Sequence, residues 1–191
     1  MIIESPPKLY SREEYLELEE TAEYKNEYHN GQIIPMTGGT TEHNRLALNF
    51  CNQFLVKFEE HNYPIFIGDV KVHIPAHNID TYPDVMILKD EPIYDQDKHT
   101  VILNPTVIVE VLSQSTQNYD KGEKFEYYRS LSSFQEYVLI DQYKYQVEQY
   151  IKQGEGEWLF KEYKGQDCIL NIVSFSWQIA LSKLYKNVKI V

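Results

Sequence analysis

The apolar run from Val107 to Leu112, inside "PTVIVEVLSQS", is interrupted only by Glu110. A short continuous apolar segment bounded by Pro105 and by Ser113 to Ser115 reads as a strand covered on both faces, because strand side chains alternate and both sets here are apolar. A chain with such a strand needs a layer of structure above it and another below. Burying an ionised carboxylate there costs several kcal/mol unless it meets an opposite charge, a metal or good hydrogen bonds. Two readings of Glu110 stand side by side. One is an ion pair to a Lys or Arg at the edge of the sheet, or a strand end that has already reached solvent. The other is a functional acid.

The remaining segments give such a strand its neighbours. "SREEYLELEE" opens with Ser11 and carries Glu14 three residues later, a capping box leading into a short helix, and "EYKNEYHNGQIIPM" reads as two short strands joined at Asn30-Gly31. From Thr40 or Thr41 to about His61, Leu46, Phe50, Phe54 and Phe58 recur at steps of four, which predicts a helix, with Leu48, Leu55 and Val56 expected to widen its apolar stripe. "PIFIGDVKVHIP" reads as one strand and "TYPDVMILKD" as a shorter one entered through Pro83, followed by the polar loop "DEPIYDQDKH". A helix is predicted from Asp120 to about Ser130, then a strand at "FQEYVLIDQ". The tail predicts a β-meander turning at Gly154 to Gly156 and at Lys164-Gly165, ending in a short helix near "SWQIALSKLY". The order implies an α/β fold, a mixed central β-sheet flanked by helices with additional strands at both ends. We expect one domain over 1–191, with an N-terminal helix and hairpin in 1–39, a core in 40–142 and the meander and short helix in 143–191.

Composition narrows the function classes. The formal net charge of −11 speaks against a generic nucleic-acid coat, whose affinity rests on Lys and Arg displacing counterions. It leaves room for an enzyme with a local basic face whose own carboxylates await cations. No apolar run is long enough to cross a bilayer, and "MIIESPPKLY" lacks the basic start and apolar core of a signal peptide. Cys51 and Cys168 stand apart with no metal-type spacing. A cytoplasmic protein with no membrane partner is expected.

A second acid changes the weight on Glu110. Asp84 in "YPDVMIL" opens another short apolar strand, and the loop between suits a neighbouring strand, so the two acids can converge. Hard oxygen ligands at a strand opening suit Mg²⁺ or Mn²⁺ better than zinc, and such an ion can polarise a phosphoryl oxygen and acidify a bound water. Asp120, Lys124 and Tyr128 step by four along the predicted helix and share a face, with Lys121 on a neighbouring line. A lysine from that helix could stabilise charge developing on phosphate. The plainer reading makes Asp120 and Lys124 a surface ion pair and Tyr128 a core residue.

Together, "YPDVMI", "VIVEVLS" and "DKGEKFEYYRSLSSFQEYVLID" resemble the Uma-type family of putative restriction endonucleases, a branch of the PD-(D/E)XK nuclease superfamily. "NEYHNGQIIPM", "TEHNRLALNF" and "ILNIVSFSWQIALSKLY" resemble its flanking segments, so the likeness covers nearly the whole chain. It implies a restriction-endonuclease-like core in which Asp84 and Glu110 bind Mg²⁺ or Mn²⁺ with the backbone carbonyl of Val111 as third contact. Leu112 stands where the superfamily's lysine would be, two residues from Glu110 and on its side of the strand. The resemblance assigns the lysine's part to Lys124 on the following helix, with Lys121 as fallback. Glu27 and His43 also match recurring positions, as a second-metal ligand or a group that orients water; a turn-stabilising Glu and a helix-start His fit them equally.

The expected function is a metal-dependent endonuclease hydrolysing phosphodiester bonds in DNA, acting as a homodimer if both strands of a duplex are cut. The alternative is a catalytically inactive nuclease-fold protein that binds nucleic acid or a protein partner. A basic cleft built from Lys71, Lys121, Lys124 and Arg129 would favour the first. A third class, hydrolysis of small phosphate esters, lacks a phosphate loop: "TGGT" at Thr37 to Thr40 is too short and reads as a turn before the long helix.

Overall fold

A computed structural model of the chain describes residues 8–96 and 99–190. The start of the segment assessed for a signal peptide, residues 1–7, lies outside the described residues, as do Asp97 and Lys98 of the polar loop.

The strand Val107–Leu112 (β8) is buried at all six positions, as its composition requires. It lies inside a six-stranded sheet of order β11-β10-β9-β8-β6-β3, between β6 (Val85–Ile87), which it pairs antiparallel, and β9 (Glu136–Asp141), which it pairs parallel. The alternation of strand side chains splits β8 between two cores. Val107, Val109 and Val111 pack with Leu46, Phe50 and Phe54 of the helix α2 (Thr41–Lys57), while Ile108 and Leu112 pack with Val72, Ile74, Tyr128 and Tyr137 on the other side. Glu110, being even-numbered, belongs to the second side.

That second layer is a five-stranded sheet of order β2-β1-β5-β4-β7, made of β1 (Asn26–His29), β2 (Gln32–Pro35), β4 (Lys71–Ile74), β5 (Ile79–Thr81) and β7 (Val101–Ile102). The segment expected to be one strand, 64–75, therefore divides between two sheets. Its first part, β3 (Ile65–Ile67), pairs with β6, and its second part is β4. Gly68, in the left-handed region at φ +61°, makes the break between them.

The parallel pairing of β8 with β9 needs a crossover. It contains α3 (Gln117–Tyr119), a π-helical turn over Asp120–Lys124, and α4 (Phe125–Tyr128). The expected helix over 120–130 thus starts earlier, ends at Tyr128 and carries a widened turn across the residues of interest. Helix α2 ends at Lys57 with Phe58 as its cap, short of His61. Leu48, Leu55 and Val56 are more than half exposed, so they do not widen the stripe. At 100° per residue Leu48 and Leu55 fall nearly opposite Leu46, which makes them outer-face residues.

At the N-terminal end, α1 (Arg12–Glu19) shows the expected capping box between Ser11 and Glu14. Asn30 and Gly31, both at positive φ, turn the β1–β2 hairpin. Strand β1 then pairs with β5 and so joins the second layer. Strands β10 (Gln146–Gly154) and β11 (Glu157–Lys164) extend the large sheet as a hairpin. "SWQIALSKLY" divides between the two: Trp177–Ala180 (β13) pairs with β12 (Ile169–Ile172), and the expected short helix is Leu181–Leu184 (α5). The alternation of Trp177 and Ile179 buried with Gln178 exposed is a period of two.

Candidate functional site

Antiparallel pairing of β6 with β8 places Val85 opposite Val109, and so brings Asp84, one residue before β6, beside Glu110. The two acids are cross-laced. The Asp84 backbone N–H donates to Glu110 Oε2 at 3.2 Å, and the Val111 backbone N–H donates to Asp84 Oδ2 at 2.7 Å. Glu110 is almost wholly buried, whereas the Asp84 side chain keeps partial access to solvent.

The carboxylate of Glu110 is met from the crossover. Lys124 Nζ lies 3.0 Å from Glu110 Oε1, and the Tyr128 hydroxyl donates to the same oxygen at 2.9 Å. Lys124 also contacts Asp120 at 3.2 Å and Glu27 at 3.9 Å. Asp120, Lys124 and Tyr128 therefore share a face as their spacing implied, and that face is buried. A π turn adds one residue per turn and redirects the chain beyond it. Here it lies where the chain must aim both Asp120 and Lys124 at the end of β8. Leu112 packs in the apolar cluster with Tyr128, Phe134 and Tyr137, so the site's ammonium comes from the crossover. Lys121 points away, paired with Glu148 at 2.6 Å, and takes no part in the cluster.

Three buried carboxylates thus surround one buried ammonium, with Asp84 adjacent. Burial pushes the Glu110 carboxyl above its ordinary range; Lys124 opposes this, and the charges of Asp84 and Asp120 add to it. Burial alone would discharge Lys124, but Glu110, Asp120 and Glu27 outweigh it and keep its pKa well above the usual lysine value. Glu27, also buried, is held down at about 2, because Lys124, His29 and Thr81 outweigh its desolvation. Thr81 Oγ1 donates a short hydrogen bond to Glu27 Oε1, and His29 Nε2 lies 2.9 Å from Oε2. Tyr119 completes this outer ring, its hydroxyl 3.4 Å from Glu27 and 3.2 Å from His29.

His43, in the first turn of α2, places Nε2 3.1 Å from Asp84 Oδ2. Burial opposes a charge on the ring, yet hydrogen bonding and charge from Asp84, with Asp120 and the backbone of Val111 adding, raise its pKa. Its position is built from two sides. Thr40 caps the His43 N–H through Oγ1 and donates to Gln142, which donates to the Leu112 carbonyl. A Cβ at Gly39 would stand 3.1 Å from His43 Nδ1, so the missing side chain makes room for the ring.

Of these groups, Asp84, Glu110, Asp120, Lys124 and His43 line a cleft of about 750 Å³. Its lining is largely neutral and polar, formed by the loops of Thr37 to Thr40 and Ser113 to Thr116, with Glu23 and with Lys25, which is paired with Asp69. The basic face expected from four residues is not assembled. Lys71 is buried against the Tyr82 hydroxyl, Lys121 pairs with Glu148, Arg129 lies over the Phe125 ring, and Lys124 is enclosed among acids.

Among the described residues, no three His, Cys, Asp or Glu side chains close around a common point. What is present is an open set of hard oxygens, the carboxylates of Asp84 and Glu110 with the Val111 carbonyl next in sequence to Glu110, in a cluster with more acids than cations. That donor chemistry and that charge balance fit Mg²⁺ or Mn²⁺.

His29, Thr81 and Tyr119 were not among the sequence candidates. The pairing of Glu27 with His29 could have been read, since residues two apart on a strand share a face. Thr81 and Tyr119 reach Glu27 only through tertiary packing.

The sequence matches the Uma2 family, described as "Putative restriction endonuclease", over residues 12–182. Two proteins of Synechocystis sp., both described as uncharacterized, are similar to it. One, sll1609, is 38% identical over 168 residues, covering 88% of this chain and 95% of that protein. The other, slr1290, is 34% identical over 190 residues, covering 97% and 98%. The fold is similar to that of a crystal structure described as a putative nuclease belonging to DUF820 from Anabaena variabilis, with a TM-score of 0.73, 16% identity, and coverage of 91% of this chain and 96% of that one.

Proposed function

The chain belongs to the Uma2 family of putative restriction endonucleases, and from that premise we propose that it is a Mg²⁺- or Mn²⁺-dependent endonuclease that hydrolyses phosphodiester bonds in DNA. The observation that carries the reading is the meeting of Lys124 with Glu110 beside Asp84 on the floor of the cleft.

Asp84, Glu110 and the Val111 carbonyl would hold the ion, which when bound supplies Lewis-acid stabilisation of the phosphate and acidifies water. The chain's own part is positioning and charge. Lys124 sets a fixed positive charge at the edge of the carboxylate pair, in a buried setting where it acts more strongly than in water. Asp120 and Tyr128 hold Lys124 and Glu110 in mutual register. The neutral rim offers hydroxyls and backbone N–H groups to phosphate oxygens, contacts that position a strand without reading its sequence. We place the reaction in the cytoplasm, in keeping with two free cysteines, and assign cutting of both strands to a homodimer.

The test incubates supercoiled plasmid, linear duplex and single-stranded DNA with the protein and Mg²⁺ or Mn²⁺, comparing wild type with Glu110→Gln and Lys124→Ala. Cleavage by wild type that falls at least about 100-fold in both variants is expected. Wild type that cuts none of the substrates, or variants that cut as well as wild type, would overturn the assignment.

One observation favours a second reading, a catalytically inactive nuclease-fold protein that binds nucleic acid or a partner. The cleft lacks the basic face that duplex DNA binding ordinarily uses. DNA binding that is measurable with metal present, without any strand cleavage, would select it.

A further inference from the structure

We propose that a hollow beside the cleft, walled by Tyr24, Tyr82 and Lys71, receives one unpaired base of the DNA strand and favours a base that presents a carbonyl oxygen. The proposal rests on the nuclease reading above and deepens it, because it makes the substrate single-stranded or locally unpaired DNA.

The first support is placement. This hollow, of about 600 Å³, shares a wall with the cleft made of Glu23, Tyr24, Lys25 and Tyr82. Tyr82 is two residues from Asp84, so their Cα atoms lie within about 7 Å of each other. The hollow therefore begins next to the acids proposed to act on phosphate. The backbone at Tyr24 is tied down, since Asn26 Nδ2 donates both to the Tyr24 carbonyl and to Glu19 Oε2. Tyr24 itself is 70% exposed and stacks on no other ring among the described residues. An aromatic face thus stands free at the boundary of the two spaces.

The second support is an unused donor. Lys71 is more than nine-tenths buried and lines the hollow. The Tyr82 hydroxyl gives its proton to Glu19 Oε1 at 2.8 Å, so its oxygen accepts from Lys71 Nζ, 3.2 Å away. Among the described residues the ammonium makes no other hydrogen bond and no ion pair, which leaves two of its three N–H groups without a protein acceptor. The Glu19 oxygens, by contrast, are taken by the Asn26 backbone N–H, Asn26 Nδ2 and Tyr82. What the hollow lacks is an acceptor.

Charge selects the class of occupant. Among the lining residues Glu19, Glu20, Glu23 and Asp69 outnumber Lys25 and Lys71, a balance that repels phosphate and admits a neutral group. A base is neutral and has a face to stack, and stacking on an aromatic side chain does not require the basic surface that the cleft lacks. Taking a base out of a duplex costs unpairing energy, least where the strand is already single. Thymine presents an acceptor, O4, where cytosine presents the N4 donor, so Lys71 tells the two apart at equal ring size.

The test is fluorescence anisotropy on the full chain with Mg²⁺, using labelled strands of about 12 nucleotides, one of thymidine and one of cytidine, with phosphorothioate linkages that resist hydrolysis. Wild type is expected to bind the thymidine strand at least about fivefold more tightly than the cytidine strand. Lys71→Met should bring that ratio to about one. Tyr24→Ala should weaken both strands alike, by about fivefold or more, and leave the ratio in place. Equal affinity for the two strands in wild type, a ratio that survives Lys71→Met, or Tyr24→Ala that binds as wild type does, overturns the inference; Tyr24 is exposed, so its variant reads out even if Lys71→Met fails to fold. The plasmid test stands apart. Cleavage without the thymidine preference removes the base pocket and keeps the nuclease, while the preference without cleavage keeps the pocket as a binding site and removes the nuclease.

Discussion

Asp84 and Glu110 each accept a backbone N–H from the other's strand, Glu110 from Asp84 itself and Asp84 from Val111. The two acids thereby extend the β6–β8 ladder by side chains where the backbone pairing stops, and their oxygens are fixed before any ligand arrives. Asp84→Asn keeps an amide oxygen for the Val111 N–H, so its stability should change by no more than about 1 kcal/mol. Metal-dependent cleavage should fall at least about 100-fold. Thermal melts and plasmid nicking measure the two; activity within about tenfold of wild type would contradict the placement of Asp84.

Lys124→Met removes the one ammonium from among Glu110, Asp120 and Glu27. Leaving buried carboxylates without their cation costs about 3–5 kcal/mol. The loss should be largest at neutral pH and shrink in acid, where the orphaned carboxyls take up protons. Denaturant unfolding at two pH values reads this directly.

Glu27 ionises at about 2 in the folded chain against 4.5 ordinarily. The folded state thus favours the charged form, so the stabilisation is complete above about pH 4.5 and disappears as pH falls from there toward 2. At about 1.4 kcal/mol per pH unit it amounts to roughly 3 kcal/mol. Glu27→Gln should flatten the acid limb of the stability curve in that window. An unchanged acid limb would show that Lys124, His29 and Thr81 do not hold Glu27 charged.

The neutral rim predicts weak salt dependence. With Lys25 at the cleft already paired with Asp69, affinity for DNA should show at most about one or two phosphates' worth of counterion release as salt rises, a log–log slope no steeper than about −2. A slope of about −5 or steeper, measured by fluorescence anisotropy, would require a basic surface elsewhere.

Lys121→Ala serves as the internal control. Its partner is Glu148, away from the acids, and a partly exposed pair of this kind contributes under about 1 kcal/mol. Cleavage should stay within about twofold of wild type. A loss comparable to that of Lys124→Ala would reverse the assignment of the two lysines.

What the sequence made legible is what local rules govern. Strand β8 could be read because both of its faces are apolar, and α2 because Leu46, Phe50 and Phe54 keep one face. Leu48 and Leu55 misled because apolar side chains are common on surfaces, so their presence says little about which way they point. The division of 64–75 between two sheets had a signal in Gly68-Asp69, too weak to outweigh the apolar residues on either side. The π turn at Asp120 to Lys124 had none, since it is fixed by where the crossover must land. At the site, the meeting of Asp84 with Glu110 came from strand order, and the arrival of Lys124 from helical spacing together with the resemblance. The support given by Thr81 and Tyr119, and the neutrality of the rim, depend on contacts between distant segments that no local pattern carries.

The cluster draws Glu27 from the first hairpin, His43 from the long helix, Asp84 and Glu110 from paired strands, and Lys124 from the connection between β8 and β9. No single hairpin, helix or βαβ unit contains it. During synthesis, then, Lys124 cannot find Glu110 in its final place until β9 has been made and docked beside β8, and β9 is in turn paired with β10. A chain clipped before β9 would carry all of the site's residues without the strand on which the crossover lands.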